Sequence, residues 1–248
     1  METVPFAIVL ASNASFDTFP DNKISNFTVK LAKPVNLEGQ WTVAMTEIQY
    51  VRTWNTVSND EAFFHLKKNS LQDAARGNFR GGCFNTIVDL LKPINRTIAT
   101  MPHYPDTSLY YDEYQRCVIL QSPEDTVKFT THGRLLNIIG TVLQGPEQPD
   151  KSKADIYGGS YNFLVYSDIV EHQRVGDSYA PLLRAVQIKG ENNAVVNIQY
   201  DKPNYVNVCK NHFDTVNVQI RDDQGRFIGF KYGKIWIRLH FTPLRANY

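Results

Sequence analysis

Apolar and polar residues alternate with a period of two along four stretches of the chain, the pattern of a strand with one face on a core and the other exposed. Phe27, Val29 and Leu31 interleave with Asn26, Thr28 and Lys30. Ala194, Val196, Ile198 and Tyr200 interleave with Val195, Asn197 and Gln199. Val216, Val218 and Ile220 interleave with Thr215, Asn217, Gln219 and Arg221. The cleanest run puts Ile235, Ile237, Leu239 and Phe241 on one face and Lys234, Trp236, Arg238 and His240 on the other. These sets predict a core containing Phe27, Val29, Leu31, Val216, Val218, Ile220, Ile235, Ile237 and Leu239.

Further strands are predicted over 41–51, 116–120, 126–130 and 162–167. Residues 6–10 read as a first strand or an N-terminal arm. Gly176-Asp177-Ser178 separates 169–175 from 182–188, and Asp222-Asp223-Gln224-Gly225 separates 216–220 from 227–230. The second spacing predicts a hairpin, with Gly225 free to take positive φ. Helical spacing occurs over 85–98, where Ile87, Leu90, Leu91, Ile94 and Ile98 recur every three or four residues behind a candidate cap, Asn85. Pro93 inside it predicts a kink or an end. A shorter helix is predicted over 135–139, before Gly140. Residues 145–153, with Pro146 and Pro149, read as an exposed loop rather than a domain boundary, because similar strands resume beyond it. The fold class is therefore all-β: a single jelly-roll β-sandwich domain over 1–248, with long decorated loops and one or two short helices.

Composition narrows the function classes. The 248 residues carry 26 Lys and Arg against 25 Asp and Glu, for a net charge of +1. That balance argues against a dedicated nucleic-acid binder. Three cysteines without clustered spacing argue against a disulfide framework. Residues 1–5 lack a basic leader, and no apolar run is long enough to span a membrane. The sequons at Asn13, Asn26 and Asn95 are accordingly read as chance matches.

The chemistry-bearing patterns are weak. Cys209 and His212 form a lone C-x-x-H without a second pair at zinc-site spacing. Gly158-Gly159-Ser160-Tyr161-Asn162 lacks the closing glycine of a nucleophile elbow. Asn78-Phe79-Arg80-Gly81-Gly82 lacks the Lys-Ser/Thr of a phosphate loop. Asp112-Glu113 and Asp222-Asp223 are neighbours whose side chains diverge, and Asp168, Glu171 and Asp177 surround a turn. No catalytic residue, metal, cofactor or small-molecule substrate is expected.

The polar face of the last strand is the candidate binding surface. Lys234, Trp236, Arg238 and His240 combine a large aromatic with cations, as interface hot spots do. A tryptophan under an arginine stem on an exposed sheet is the equal alternative. Charge is also polarised: seven Lys and Arg against three Asp and Glu give +4 from Pro203 onward, and the preceding residues carry −3. Such polarity suits contacts with oppositely charged neighbours, or with nucleic acid on one side.

Several longer stretches resemble a known family. They are Ser25-Asn26-Phe27-Thr28-Val29-Lys30-Leu31 and the run from Val35-Asn36-Leu37-Glu38-Gly39-Gln40-Trp41 to Tyr50. Later come Asp168-Ile169-Val170-Glu171, Val175-Gly176-Asp177, Ala180-Pro181-Leu182-Leu183-Arg184, Phe213-Asp214-Thr215, Ile220-Arg221-Asp222-Asp223 and Phe230-Lys231-Tyr232-Gly233, leading into Leu239-His240-Phe241. Together they resemble the penton, or minor capsid, proteins of Polinton/Maverick elements and adintovirus-like viruses, over roughly 10–55 and 160–242. The middle of the chain, 56–160, carries no such resemblance.

The resemblance implies a structural virion protein: one jelly roll, a homopentamer at the icosahedral fivefold vertices, beside a separate double-jelly-roll major capsid protein. A vertex fibre or spike is a further implied partner, and assembly is implied to occur inside the host cell. It transfers no active site. From another class, an aromatic-rich sandwich also suits a carbohydrate- or receptor-binding module, with Trp54, Tyr104, Tyr110, Tyr111 and Tyr114 as stacking candidates.

Overall fold

The computed structural model describes residues 2–71, 73–124, 126–144 and 153–244. In chain order the elements are β1 (Phe6–Ala11), β2 (Asn26–Asn36), β3 (Trp41–Val51), β4 (Phe63–Lys68), β5 (Ala75–Asn78) and α1 (Ile87–Ala99). Next come β6 (Ser108–Asp112), β7 (Cys117–Gln121), β8 (Val127–Thr130), α2 (Gly133–Ile139), β9 (Leu143–Gln144), β10 (Asn162–Ser167), β11 (Gln173–Val175) and β12 (Ser178–Ala180). The last are β13 (Leu182–Gln187), β14 (Val195–Gln199), β15 (Val206–Asn207), β16 (His212–Arg221) and β17 (Trp236–Pro243). The chain divides into two compact units, Met1–Thr53 with Tyr161–Tyr248, and Trp54–Ser160. The decoration expected in the connections thus includes a compact unit with a core of its own, inserted between β3 and β10.

The first unit is a sandwich of two antiparallel sheets. One runs β1-β17-β3-β14, with the short β15 also on β3, and the other runs β13-β10-β16-β2. Counting its eight long strands in chain order, the sheets read 1-8-3-6 and 5-4-7-2. Successive strands mostly change sheet, which is the jelly-roll connectivity. Across the interior the Tyr50 ring meets Phe163 edge-on at 5.2 Å, and Phe213 stacks on Phe241 at 6.0 Å. Residues 6–10 are a strand, not a free arm: β1 pairs with β17 from Phe6↔Phe241 to Ala11↔Trp236.

Eight of the nine predicted core residues are buried; Leu31 is half-buried. It sits where the β2–β16 register slips, from Lys30↔Thr215 to Val35↔Phe213, so alternation no longer tracks the sheet face there. A second slip lies in β3, where Arg238↔Glu47 is followed by Leu239↔Met45. Thr46 is the extra residue, which lets Met45 and Ile48, three apart, both face the core.

Two turn regions show how the neighbouring strands pair. Segment 182–188 does not fold back on 169–175; β13 pairs with β10, and a tighter ribbon, β11–β12, turns at Gly176 with φ 62°. Pairing with β10 buries Leu183 and Val186 beside Phe163 and Val165, which a local hairpin would leave wet. Gly225 does take positive φ, 78°, but only an Arg221–Phe227 bridge follows, and 227–230 forms no strand.

The second unit packs α1 and α2 with two three-stranded sheets, β5-β4-β8 and β6-β7-β9, around one apolar cluster. Helix α1 is capped by Thr86, not Asn85; the Thr86 hydroxyl accepts the Asp89 N–H at 3.1 Å. The Lys92 ammonium at 2.8 Å, then the Thr86 hydroxyl, hold the Asp89 carboxyl below the usual carboxylate range. Pro93 neither ends nor divides the helix. An interior proline costs about 3 kcal/mol, but each buried aliphatic side chain returns roughly 1.5–3 kcal/mol, and Ile87, Leu90, Leu91, Ile94 and Ile98 are all buried. Helix α2 ends at Gly140, φ 68°, as its sequence predicts. Of the predicted loop 145–153, residues 145–152 lie outside the described residues, and Lys153 bridges to Cys117.

Ile237, fully buried on β17, is the sharpest test of face assignment. Ile237→Ala is expected to cost about 2–5 kcal/mol in chemical denaturation. A loss near about 0.5 kcal/mol, the scale of a surface change, would mean that the strand face is wrong.

Candidate assembly surfaces

Strand β17 lies inside its sheet, between β1 and β3, so its polar side chains project from the outer face of the sandwich. Trp236 is half-buried between Ala11 and Gln49, and Arg238 is exposed between Val9 and Glu47. Half-buried His240 shares a 2.8 Å hydrogen bond between its Nδ1 and the Tyr205 hydroxyl. Lys234 is exposed just ahead of the strand.

Arg238 and Glu47 face each other in register, yet they do not pair. One carboxylate oxygen of Glu47 instead accepts from Asn197 Nδ2 at 3.0 Å and Gln199 Nε2 at 3.4 Å. Neither Lys234 nor Arg238 has an ion pair among the described residues, and Arg238 makes no ring contact with Trp236 there. A shallow groove of about 350 Å³ crosses this face, lined in part by Ala7, Glu47, Tyr200, Asp201, Arg238 and His240. The cluster therefore offers uncommitted cations beside an aromatic.

The remaining motifs are occupied by local structure. Cys209 Sγ lies 3.5 Å from the Asp168 carbonyl, and the His212 ring bonds Asn36. Desolvation pushes the Cys209 thiol up, away from the thiolate that a metal takes. Among the described residues no three His, Cys, Asp or Glu side chains are grouped to hold a metal. Asp168 holds Lys210 at 2.6 Å and the Asn217 N–H at 2.8 Å, while Glu171 accepts from Asn207. No helix among the described residues is long and apolar enough to cross a membrane.

Of the stacking candidates, Tyr104 is a packing residue: it is buried, and its hydroxyl donates to the Leu66 carbonyl at 2.8 Å. Tyr111 and Trp54 are half-buried. Tyr110 and Tyr114 are exposed, Tyr114 by 97% at the β6–β7 turn.

The sheet edges carry a feature that alternation alone does not reveal. The outer edge of β2 is closed by its own preceding loop. Asn22 Oδ1 accepts the Thr28 N–H and Asn22 Nδ2 donates to the Thr28 carbonyl, both at 2.9 Å, so one carboxamide stands in for a neighbouring strand. Ser15 takes the next outward N–H, that of Lys30, at 3.0 Å. Nothing in the spacing of Asn22 marks it for this role, because its partner is set by how the loop folds back.

Asn22→Ala is expected to destabilise the protein by about 1–3 kcal/mol, since Thr28 loses both partners. The bared edge should also promote concentration-dependent association, measurable by light scattering. An unchanged denaturation midpoint would refute the edge-closing role.

No protein-family model matches this chain, and no curated protein matches it in sequence. Solved structures do match in shape. The mavirus penton protein superposes with a TM-score of 0.58 at 11% identity, over 98% of this chain and 100% of that one. A chain of the Sputnik virophage, from its 3.5 Å cryo-EM structure, superposes with a TM-score of 0.52 at 8% identity, over 98% of each. The likeness is one of fold: this chain has the jelly-roll-like all-β fold of the mavirus penton protein along nearly its whole length.

Proposed function

We propose that this chain is a structural protein of a virus particle, a penton-type subunit that works by assembly and not by chemistry. The observation that supports this most is the extent of the fold likeness, which covers nearly all of this chain and the whole of the mavirus penton protein. A jelly roll alone is widely reused and carries little functional weight. A match extending through both sequence-distant parts of the sandwich and the segment inserted between them is more demanding.

The functional unit is a closed ring of five copies at the icosahedral fivefold vertices. It sits beside a larger double-jelly-roll major capsid protein, with the outer loops open to a fibre or spike. A cyclic ring joins unlike patches, and the charge asymmetry along the chain, −3 before Pro203 and +4 from it onward, supports such a contact. Lys234, Trp236, Arg238 and His240 are the proposed contact residues, since two of their cations lack internal partners. The chain is virion-localised, and nucleic acid contacts it at most through nonspecific charge.

Density from assembled particles tests the reading. Five copies around each fivefold axis are expected. This chain at any other position, or a stable trimer in solution, would refute the penton assignment. The exposed Tyr110 and Tyr114 favour a second reading, carbohydrate or receptor binding by the inserted unit. Glycan-array binding that is lost in a Tyr110→Ala, Tyr114→Ala double variant would support it.

A further inference from the structure

The two edges of the β1-β17-β3-β14 sheet are open, and they match. Ser12 N–H donates to the Ile235 carbonyl at 2.9 Å, which sets the phase of the β1–β17 ladder. In that phase residues 6, 8 and 10 bond inward to β17, and the backbone groups of Ala7 and Val9 point away from the sheet. On the far side, Arg52 N–H to Ala194 carbonyl and Tyr200 N–H to Thr46 carbonyl set the phase of β14 on β3. There the outward backbone groups belong to Val195, Asn197 and Gln199. Among the described residues no hydrogen bond reaches these groups of Ala7, Val9, Val195, Asn197 or Gln199.

Neither edge carries the usual protection. Soluble proteins blunt an edge with charge, proline or a bulge. The β1 sequence is Phe-Ala-Ile-Val-Leu-Ala, paired without a register shift, and Val9 is 45% exposed. On β14, Val195 is 66% exposed, and Asn197 and Gln199 turn their side chains back over β3 to reach Glu47. The β2 edge of the other sheet is, by contrast, closed by Asn22 and Ser15.

We infer that the β1 edge of one copy takes the β14 edge of a second copy as its next strand, so that this sheet runs on between subunits. This inference rests on the ring reading above and names its joint. Strand direction alternates β1, β17, β3, β14, because every pairing is antiparallel. A copy advanced along the sheet without being turned over therefore presents β14 antiparallel to the neighbour's β1. The register that matches the open backbone groups is Ala7–Gln199 and Val9–Asn197; it sets Val195 opposite Ala11, whose carbonyl already accepts the Ala14 N–H at 3.0 Å. That register also sets Ile8 beside Ile198 and Leu10 beside Val196 on the core face, so apolar rows continue through the joint.

Charge agrees at both ends of the joint. Glu191, just ahead of β14, approaches the end of β1 near Lys234, and Asp201, just after β14, approaches the end near His240. None of these groups has an ion pair among the described residues. The match is local and not net, because Lys189 and Lys202 stand on the same flanks. Two unlike edges also make the contact heterologous, as ring closure requires. A joint of about five residues buries far less than the roughly 1,200–2,000 Å² of a stable interface. Single joints are therefore weak, and closure of the ring stabilises them by effective concentration.

Disulfide trapping in the full-length protein tests the joint. In a Cys83→Ser, Cys209→Ser background, which leaves only the buried Cys117, Val9→Cys and Asn197→Cys are combined and oxidised under ring-forming conditions. Within one copy the two positions lie three strands apart, about 14 Å, beyond the roughly 7 Å limit for a disulfide. Every link must therefore join copies. A covalent ladder ending at five is expected, with neither single cysteine linking. Dimers from Val9→Cys alone would show β1 pairing with itself and overturn the inference, as would rings that form without any link. A ladder running past five without closing would keep the edge joint and refute the ring reading. Val9→Pro supplies a second readout, because the Val9 N–H points outward and no internal bond is lost. It should melt as wild type while ring formation weakens at least tenfold; rings of unchanged strength would overturn the inference.

Discussion

The sandwich depends on one ladder, the antiparallel seating of β17 between β1 and β3. An interior strand, shielded from water on both sides, needs hydrogen bonds along both, and β17 gets one side from residues 6–11 and the other from 41–51. Two segments near the ends of the sequence thus meet inside one sheet, with Ile237, Leu239 and Phe241 driven into the core by the same register. The roll closes only when this long-range pairing forms. Until then β1 and β3 each lack a neighbour, so the contact with the highest loop-closure cost is also the one that completes the first sheet.

That closure leaves the segment between β3 and β10 free to build elsewhere. It does so around a separate cluster in which α1, α2 and the strands β4, β6, β7 and β8 supply most of the buried side chains. The proline in α1 illustrates the balance within that unit. Its backbone cost is comparable to a single buried aliphatic side chain, and five such side chains hold the helix in place. An insertion with its own core can vary at its exposed turns, such as the one bearing Tyr114, without disturbing the register of the sandwich.

Edges divide the surface into parts that are finished and parts that are not. The carboxamide of Asn22 and the hydroxyl of Ser15 satisfy the β2 edge from within the chain. The β1 edge has neither charge nor cap, and it adjoins a face where Arg238 and Glu47 sit opposite each other without pairing. Unpaired backbone and uncommitted charge on one side of the molecule are the features from which a joint to another copy is inferred, in keeping with a capsid role proposed from the fold.

Much of the architecture was legible in the alternation. Val216, Val218 and Ile220, and Ile235 through Phe241, sort onto the faces that their period of two dictates, because face is a local property of strand geometry. The helix over Ile87–Ala99 was legible from its 3–4 spacing for the same reason, and Trp236, Arg238 and His240 alternate with the buried residues of β17, while Lys234 is exposed ahead of the strand. Strand partners were not legible. Alternation in segment 182–188 names no partner, and the burial of Leu183 and Val186 beside Phe163 and Val165 goes with its pairing to β10. The slips at Thr46 and after Lys30, the capping of β2 by Asn22, and the matched openness of β1 and β14 arise from contacts between residues far apart in sequence. Period alone specifies which way a side chain points; which backbone it lies beside is decided by the packing of the whole sandwich.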